Sequence, residues 1–358
     1  MKRYGNLWSK IIAFENILLA AQKAQKGKRY KPAVLRFNFN RETELLNLQQ
    51  ELITQTYQPV QYTTFEITTP KQRMISAAPY RDRVVHHALC NVISPLLEKS
   101  LIDHTYANRV GFGTHKALQQ FTHYFRTHRY TLQCDIQRYF PSIDHQILKS
   151  LLRRKLKCPQ TLWLIDKIID NSNPQNSLHH HFPGDNLLTP LERRQGLPIG
   201  NLTSQTFANF YLYRFDHFVT RILNVPYLRY VDDFALFSDS YEHLSEIRPQ
   251  LSEHLAQLRL KIHPSKNVLS ETVKGANFVG FRVFPSHIRV RSENLRMGRR
   301  RLRYNLKQYH SQNKSLKAVQ HSLQSWFAHL SHADSFQLKE KLLQYVQQNV
   351  EQHHTTQV

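Results

Sequence analysis

The sequence predicts an α+β protein in which short strands lie among many helices. Strand-like runs, rich in apolar and β-prone residues, occur at 131–136 and within 229–238. Helical periodicity dominates residues 8–57 and the segment 286–358. With 358 residues, 41% of them hydrophobic, the chain is long enough and apolar enough for two or three subdomains with real cores.

The first third of the chain is predicted to form helices followed by a basic hairpin. Residues 63–69 are strand-like, and an apolar helix is predicted for 84–97. Lys71 and Arg73 lie between these two elements. A cationic hairpin can bind phosphate groups or simply face solvent, and the residues alone leave both interpretations open.

Three aspartates are the candidate catalytic groups. A predicted strand ends at Asp135 and is followed by an aromatic-rich turn and a helix that begins at about Asp144. Because side chains on a strand alternate between faces, Asp232 and Asp233 can serve one site only at a bend such as a tight hairpin. Adjacent carboxylates repel each other unless a cation neutralises them. With a strand-end aspartate beside it, the pair predicts a two-metal site for phosphoryl displacement; for the pair alone, a polar turn is the alternative.

The overall charge favours a nucleic-acid partner. The chain has 49 Lys and Arg against 26 Asp and Glu, a formal net charge of +23, which predicts salt-sensitive attraction to phosphate. Membrane attraction is the competing interpretation, but no apolar run approaches 20 residues and no amino-terminal signal segment is seen. The three cysteines have no paired spacing, so a reducing cytoplasm is expected.

The last third of the chain combines a strand pair with a basic helical segment. Residues 275–284 alternate as two strands, and Lys266 lies shortly before them. Residues 286–358 contain 12 Lys and Arg and 4 Asp and Glu, a surplus of 12 − 4 = 8 positive charges. Their helical pattern predicts a small bundle with a basic face, for duplex nucleic acid or for a protein partner.

Three segments together resemble the motifs of reverse transcriptases. They are the strand and turn at 132–144, the Tyr-Val-Asp-Asp hairpin at 229–238 and the glycine motif at 195–205. Reverse transcriptases of group II introns usually have Pro-Gln-Gly and Ser-Pro in the third segment. This chain instead has Pro-Ile-Gly, with Ile199, and Ser-Gln, with Gln205.

The form of the motif with Ile and Ser-Gln resembles that of the reverse transcriptases of diversity-generating retroelements. These enzymes copy a template-repeat RNA into cDNA with errors concentrated at adenines. Residues 182–194 strengthen this resemblance, which runs from about Leu7 to Phe284. Related polymerases place a glutamine amide near the sugar of the incoming nucleotide. Ile199 offers no donor or acceptor there, so a modest loss of base selectivity is expected.

The resemblance implies a right-hand polymerase fold of fingers, palm and thumb. The fingers would occupy residues 1–110, and the palm, an antiparallel sheet with helices, residues 111–285. An insertion interrupts this palm near 171–190. A basic helical thumb would occupy residues 286–358.

The resemblance also implies roles for individual residues. The catalytic residues would be Asp135, Asp232, Asp233 and Lys266. The metal ligands would be Asp135, Ile136, Asp232 and Asp233. The dNTP-binding residues would be Lys71, Arg73, Ile136, Phe140, Ile199 and Gly200. The nucleic-acid-binding residues would be Gln205, Phe281, Arg299, Arg300 and Arg301.

The expected metal is Mg²⁺, as two ions, with Mn²⁺ as a substitute. Lys266 is a candidate general acid for the leaving pyrophosphate, or else a surface lysine after a serine turn. Phe140 is a candidate sugar gate, or else a core aromatic. Arg81 and Arg83 would support the cationic hairpin, with Arg83 paired to Asp82.

The expected partners are a template RNA, the cDNA primer and product, dNTPs and a small basic accessory protein of the retroelement. A reverse transcriptase of another retroelement type, group II intron-like or of a retron-like defence system, is the first alternative. A catalytically silent RNA-binding scaffold is the second. It is disfavoured because buried acids with no metal to hold would only destabilise the fold.

Overall fold

The chain forms two compact units. In the computed structural model, residues 3–68, 72–172 and 180–355 are described, with side chains up to residue 351. Unit 1 consists of Met1–Gly111, Gln133–Ala235 and Ser245–Asn267, and unit 2 of Phe112–Leu132, Leu236–Leu244 and Val268–Val358.

Helices form most of the described structure. In chain order they are α1 (Trp8–Ile12), α2 (Phe14–Ala24), α3 (Pro32–Phe39), α4 (Arg41–Ile53), α5 (Tyr80–Glu98), α6 (Thr114–Thr127), α7 (Tyr139–Ser142), α8 (His145–Arg153), α9 (Pro159–Asp170), α10 (Thr189–Glu192), α11 (Leu202–Tyr211), α12 (Tyr213–His217), α13 (Tyr241–Gln257), α14 (Ser292–His310), α15 (Leu316–Leu330) and α16 (Phe336–Thr355).

The strands form three sheets. They are β1 (Thr63–Ile67), β2 (Arg73–Ala77), β3 (Tyr130–Ile136), β4 (Tyr227–Tyr230), β5 (Asp233–Ser238), β6 (Ile262–Glu271), β7 (Ala276–Phe278), β8 (Phe281–Val283) and β9 (Ile288–Val290). Strands β1 and β2 pair antiparallel, four strands pair in the order β4-β5-β3-β6, and the third sheet has the order β7-β8-β9.

Unit 1 has a helical core in which α2 and α11 pack against α5. Apolar residues at helical spacing, such as Val85 and Leu89 on α5, are fully buried there. Helix α2 contributes the buried small residues Ala20 and Ala24 to this core.

Aromatic stacking and helix packing form the core of unit 2. Phe121 of α6 stacks on Phe278 of β7 with 4.3 Å between ring centroids. Helices α14, α15 and α16 enclose a cluster of buried residues, namely Leu302, Leu306, Val319, Leu323, Leu330 and Leu342. A Cβ on Gly298 of α14 would lie only 2.2 Å from a ring atom of Trp326, so a glycine is required for α14 and α15 to pack this closely.

Most of the predicted elements are confirmed. The predicted helix start at Asp144 is confirmed, because its carboxylate accepts a hydrogen bond from the Ile147 amide (2.9 Å) and caps α8. The strand pair predicted for 275–284 is β7 and β8. The domain limits 1–110, 111–285 and 286–358 stay a prediction, and the expected insertion near 171–190 includes residues 173–179, which lie outside the described part.

Within residues 3–68, 72–172 and 180–355, no helix combines the length and the apolar character needed to cross a bilayer.

Candidate active site

The Asp-Asp pair lies at a tight hairpin, as its sequence predicts. Strand β4 ends at Tyr230 and β5 begins at Asp233, so Val231 and Asp232 form a two-residue turn. Val231 has a φ of 60°, a left-handed conformation that is unfavourable for a β-branched residue by about 1–3 kcal/mol. The turn separates Asp232 from the strand register and lets both carboxylates lie near the same site.

A fully buried arginine supports this turn. Arg229 of β4 is 0% exposed, and its Nη1 donates to the Val231 carbonyl (2.9 Å). Its Nε and Nη2 donate to the two carboxylate oxygens of the equally buried Asp216 (2.7 and 2.6 Å). Nη1 and Nη2 also donate to the side-chain and backbone oxygens of Asn209 (both 3.1 Å). All five guanidinium N–H groups therefore have acceptors.

Burial alone would lower the pKa of Arg229, but the Asp216 carboxylate outweighs burial and raises this pKa above its ordinary value. Tyr227 adds a hydrogen bond to the same carboxylate (2.8 Å). The network is thus a permanently charged, fully paired ion pair beneath the turn.

The third aspartate and the lysine lie on the two strands that follow in the sheet. Strand β3 lies between β5 and β6, which brings Asp135 near the end of β3 into reach of Lys266 in β6. The Lys266 Nζ lies 2.5 Å from the Asp135 Oδ2. Lys266 therefore lies within a strand and pairs with Asp135, with its side chain 41% exposed, and the choice between general acid and surface lysine stays a prediction.

The three carboxylates influence one another's ionisation. Burial and then the negative charge of Asp135 raise the pKa of Asp232, against the nearby cations Lys266 and Arg73. Partial desolvation, followed by the charge of Asp232, raises the pKa of Asp233 to about 7, and Asp233 shares a hydrogen bond with Asp135. This site therefore has more negative charge than its own cations neutralise.

Within the described ranges, no three His, Cys, Asp or Glu side chains are already arranged as a metal-holding group. The donor set nevertheless suits a hard divalent cation, since carboxylate oxygens are its preferred ligands and a bound cation would offset the burial and the mutual repulsion that raise the pKa values of Asp232 and Asp233. Asp135, Asp232 and Asp233 are the residues that fit such an ion.

A loop at residues 195–201, here called the glycine loop, is attached to the turn after β3. The Gly196 and Leu197 amides donate to the carbonyls of Ile143 (2.8 Å) and Phe140 (2.9 Å). His145 Nε2 bonds to the Gly196 carbonyl (2.8 Å). Phe140, the candidate sugar gate, is partly exposed and lies in the short helix α7.

Buried ion pairs anchor the segment that leads into the glycine loop. Arg193 bonds to Asp185 (2.5 Å) and lies 3.5 Å from Asp144, and all three side chains are at most 3% exposed. Arg259 also pairs with Asp144 (2.5 Å). The described end of the predicted insertion is thus tied firmly to unit 1.

The other side of the glycine loop meets strand β2. The Ser76 amide donates to the Ile199 carbonyl (3.0 Å). Gly200 has a φ of +117°, and a Cβ there would lie 3.1 Å from Ile75, so glycine suits this close approach. Arg73 is exposed at the start of β2, and Lys71 lies outside the described residues.

The positions of Ile136 and Arg83 in unit 1 restrict the roles predicted for them. The side chain of Ile136 is fully buried, so a contact with a metal or nucleotide would have to come from its backbone carbonyl. The pairing expected for Arg83 is wrong: Asp82 instead accepts hydrogen bonds from the Tyr57 hydroxyl (2.7 Å) and the Val60 amide (2.9 Å).

Arg83 instead lines a cavity of about 180 Å³ together with Gln205. Its other lining residues are Ala24, Lys28, His86, His87, Gly200, Asn201 and Leu202. The Arg83 Nε and the His86 Nδ1 are buried there without a hydrogen-bond partner. This cavity is a basic pocket suited to an anionic group.

The predicted nucleic-acid contacts of unit 2 are only partly accessible. Arg299, Arg300 and Arg301 are exposed on α14, and Arg299 also lines a surface cavity with residues at the start of α16. Phe281 is 0% exposed, and its ring packs on His329 with 4.7 Å between centroids. The expected contact of the Phe281 side chain with nucleic acid is therefore wrong, because this ring is part of the core.

Arg229 and Asn201 have functional positions that were not predicted from the sequence. An arginine flanked by apolar strand residues could have indicated the first, because a charge within a buried strand requires a partner. The position of Asn201, an N-cap type of residue just before α11, could have indicated only a helix start.

The family of the chain follows from comparison with known proteins. The family model described as reverse transcriptase (RNA-dependent DNA polymerase) matches residues 65–283. This match includes the Asp-Asp hairpin, Asp135, Lys266 and the glycine loop. The chain belongs to the reverse transcriptase family, and the predicted enzyme class, an RNA-directed DNA polymerase, is confirmed.

Individual relatives are distant. Protein YkfC of Escherichia coli (strain K12) is 24% identical over 281 residues, which cover 67% of this chain and 71% of YkfC. The group II intron-encoded protein LtrA of Lactococcus lactis subsp. cremoris is 24% identical over 184 residues, 51% of this chain and 29% of LtrA. An uncharacterized 91 kDa protein in the cob intron of Schizosaccharomyces pombe is 26% identical over 151 residues, 42% of this chain and 17% of that protein.

Proposed function

We propose that this protein copies a template-repeat RNA of a diversity-generating retroelement into cDNA with errors concentrated at adenines. The observation that carries the polymerase site is the grouping of Asp135, Asp232 and Asp233 with Lys266 on neighbouring strands. This proposal assigns residues 111–285, with the Asp-Asp hairpin, to the palm of a right-hand polymerase. Residues 1–110 would be the fingers and residues 286–358 the thumb.

In this proposal Asp135 and Asp232 hold two Mg²⁺ ions, with Asp233 as a weaker ligand and the Ile136 carbonyl as a further oxygen. When bound, the ions neutralise the triphosphate and lower the pKa of the primer 3′-hydroxyl. Lys266 is then released from Asp135 and protonates the leaving pyrophosphate as general acid. Its ion pair with Asp135, with 2.5 Å between Nζ and Oδ2, holds it near the site beforehand.

The nucleotide is proposed to bind between the hairpin and the glycine loop. Arg73 and Lys71 would contact the triphosphate, Gly200 would let the backbone approach the nucleotide, and Phe140 would lie beneath the sugar. The charge of Arg73 acts on Asp232, which supports its proximity to the metal-binding carboxylates.

Phe140→Ala is expected to increase ribonucleotide incorporation relative to deoxyribonucleotide incorporation, because removing the ring leaves space for a 2′-hydroxyl. The ratio of kcat/KM values for dNTP and rNTP in single-nucleotide extension measures this change. Phe140→Tyr retains the ring and should retain the discrimination. If both variants discriminate like the wild type, Phe140 is a core residue and not the gate.

The nucleic acid is proposed to contact basic surfaces in each unit. The cavity with Arg83 and Gln205 would take a phosphate of the template strand, and Arg299, Arg300 and Arg301 would take phosphates of the RNA/DNA hybrid. A small basic accessory protein is the proposed protein partner, and the cytoplasm the proposed compartment. The three buried free thiols are consistent with a reducing compartment.

The mutagenic class rests on Ile199 and Gln205. Ile199 is partly exposed and its carbonyl accepts from the Ser76 amide, and in this proposal its apolar side chain faces the nucleotide. Losing one hydrogen bond to the nucleotide, with a net contribution of about 0.5–1.5 kcal/mol, changes the selectivity for the correct nucleotide roughly 2-fold to 13-fold. A second contributor, such as Arg73 or the template RNA, is therefore needed for frequent errors.

The alternative is a group II intron-like reverse transcriptase. The similarity to LtrA favours it, since LtrA is a group II intron-encoded protein. The two proposals differ in fidelity, because the alternative predicts no concentration of errors at template adenines.

Primer extension on an RNA template with Mg²⁺, followed by sequencing of the cDNA, tests the proposal. We expect errors concentrated opposite template adenine, and we expect Ile199→Gln to reduce those errors more than errors opposite the other bases. Ile199→Leu is the matched control, since it changes shape without adding an amide. A uniform and low error rate in the wild type would favour the group II intron-like alternative.

A further inference from the structure

The outer edge of strand β2 is completed by the glycine loop. Both backbone polar groups of Ser76 bond to this loop: its amide donates to the Ile199 carbonyl (3.0 Å), and its carbonyl accepts from the Asn201 Nδ2 (2.9 Å). The Asn201 Oδ1 also accepts from the Ala78 amide (3.2 Å). The side-chain amide of Asn201 therefore takes the place that a peptide group of a neighbouring strand would have.

These contacts are sealed from water. Asn201 is 2% exposed, Ser76 0% and Ala78 3%. Buried hydrogen bonds of this kind are hard to replace, because the loss of one partner leaves the other unsatisfied. The contact is thus a rigid junction and not an adaptable surface contact.

The position of the hairpin depends on this junction. Strands β1 and β2 form a two-stranded sheet of their own, and an isolated hairpin of this kind is marginally stable. Arg73 lies three residues before Ser76 on the same strand, about 10 Å away at the usual rise of a strand. A shift at Ser76 is therefore transmitted to Arg73.

The opposite end of the glycine loop is fixed to Phe140 through the Leu197 amide (2.9 Å). The loop thus connects the candidate sugar gate with the strand that bears the candidate triphosphate ligand. We propose that Asn201 is a positioning residue that sets the distance between Arg73 and the site formed by Phe140, Ile199 and Gly200. This inference rests on the proposed function, since it concerns how the same site holds a dNTP.

The inference predicts a selective effect on nucleotide binding. Asn201→Ala should raise the KM for dNTP about tenfold or more, while kcat changes less than about threefold and the Kd for a template–primer duplex rises by a clearly smaller factor than the KM. Asn201→Ser keeps a small hydroxyl that can make one of the two hydrogen bonds, and should raise the KM for dNTP by a smaller factor. Steady-state single-nucleotide extension and equilibrium binding of a labelled hybrid give these quantities.

Asn305→Ala is the matched control. Asn305 is 3% exposed in unit 2 and also makes two side-chain hydrogen bonds, to the Ser322 hydroxyl (3.0 Å) and from the Lys314 Nζ (2.7 Å). Its substitution removes a comparable buried amide and should leave the KM for dNTP unchanged. Should Asn201→Ala fail to fold, the ratio of KM values for Asn201→Ser and the wild type decides the question.

An unchanged KM in the folded Asn201 variants, or an equal loss of hybrid affinity, would overturn the positioning role. Failure of the proposed function has a different signature, because the wild type itself would then make no DNA with Mg²⁺ or would copy every template base with a uniformly low error rate. A wild type that is active and an Asn201→Ala variant with a normal KM would reject this inference alone.

Discussion

Asp232→Asn is expected to abolish Mg²⁺-dependent DNA synthesis, lowering kcat by about 10³-fold or more. The amide keeps the shape of the side chain but removes a negative charge from the proposed two-metal site, where the metals supply several kcal/mol of transition-state stabilisation. Primer extension with the wild type and the variant at equal concentrations measures the loss. A variant that retains substantial synthesis would exclude Asp232 as an essential ligand.

Folding provides the control for this substitution. Burial and then the Asp135 carboxylate raise the pKa of Asp232, so its ionised form destabilises the metal-free fold above its ordinary pKa. The neutral amide removes this repulsion, so the Tm without metal should stay the same or rise slightly at neutral pH. Mg²⁺ should raise the Tm of the wild type more than that of the variant, because it binds the folded wild type more tightly.

The parts of the site that depend on short stretches of sequence were predictable from the sequence. Asp135 follows a recognisable strand, and Asp232 and Asp233 interrupt a β-prone run, so a strand end and a tight hairpin follow from short-range patterns. The helix start at Asp144 has a similar local basis in its capping side chain.

The remaining parts depend on long-range contacts that a local pattern does not contain. Asn201 meets Ser76, 125 residues earlier in the chain, and the pairing of Lys266 with Asp135 spans 131 residues. Phe281 was predicted as a nucleic-acid contact, but an aromatic residue in an alternating strand can face either the core or a ligand. Only the packing on His329 decides between the two.

Arg229→Met is expected to have the largest effect on stability, a loss of about 3–5 kcal/mol in the free energy of unfolding. Methionine fills a similar volume but leaves the fully buried carboxylate of Asp216 without its cation. It also removes the donor to the Val231 carbonyl, whose left-handed backbone conformation is itself unfavourable. Urea unfolding of the wild type and the variant gives the difference directly.

A double variant, Arg229→Met with Asp216→Asn, separates stability from the geometry of the turn. It removes the unpaired charge, so a substantial part of the lost stability should return. DNA synthesis should nevertheless stay low, because the Val231 carbonyl still lacks its donor and Asp232 in the same turn is no longer held in place. If synthesis recovers in proportion to stability, the network acts only as a core ion pair. If synthesis stays low in the restabilised protein, Arg229 positions the catalytic turn.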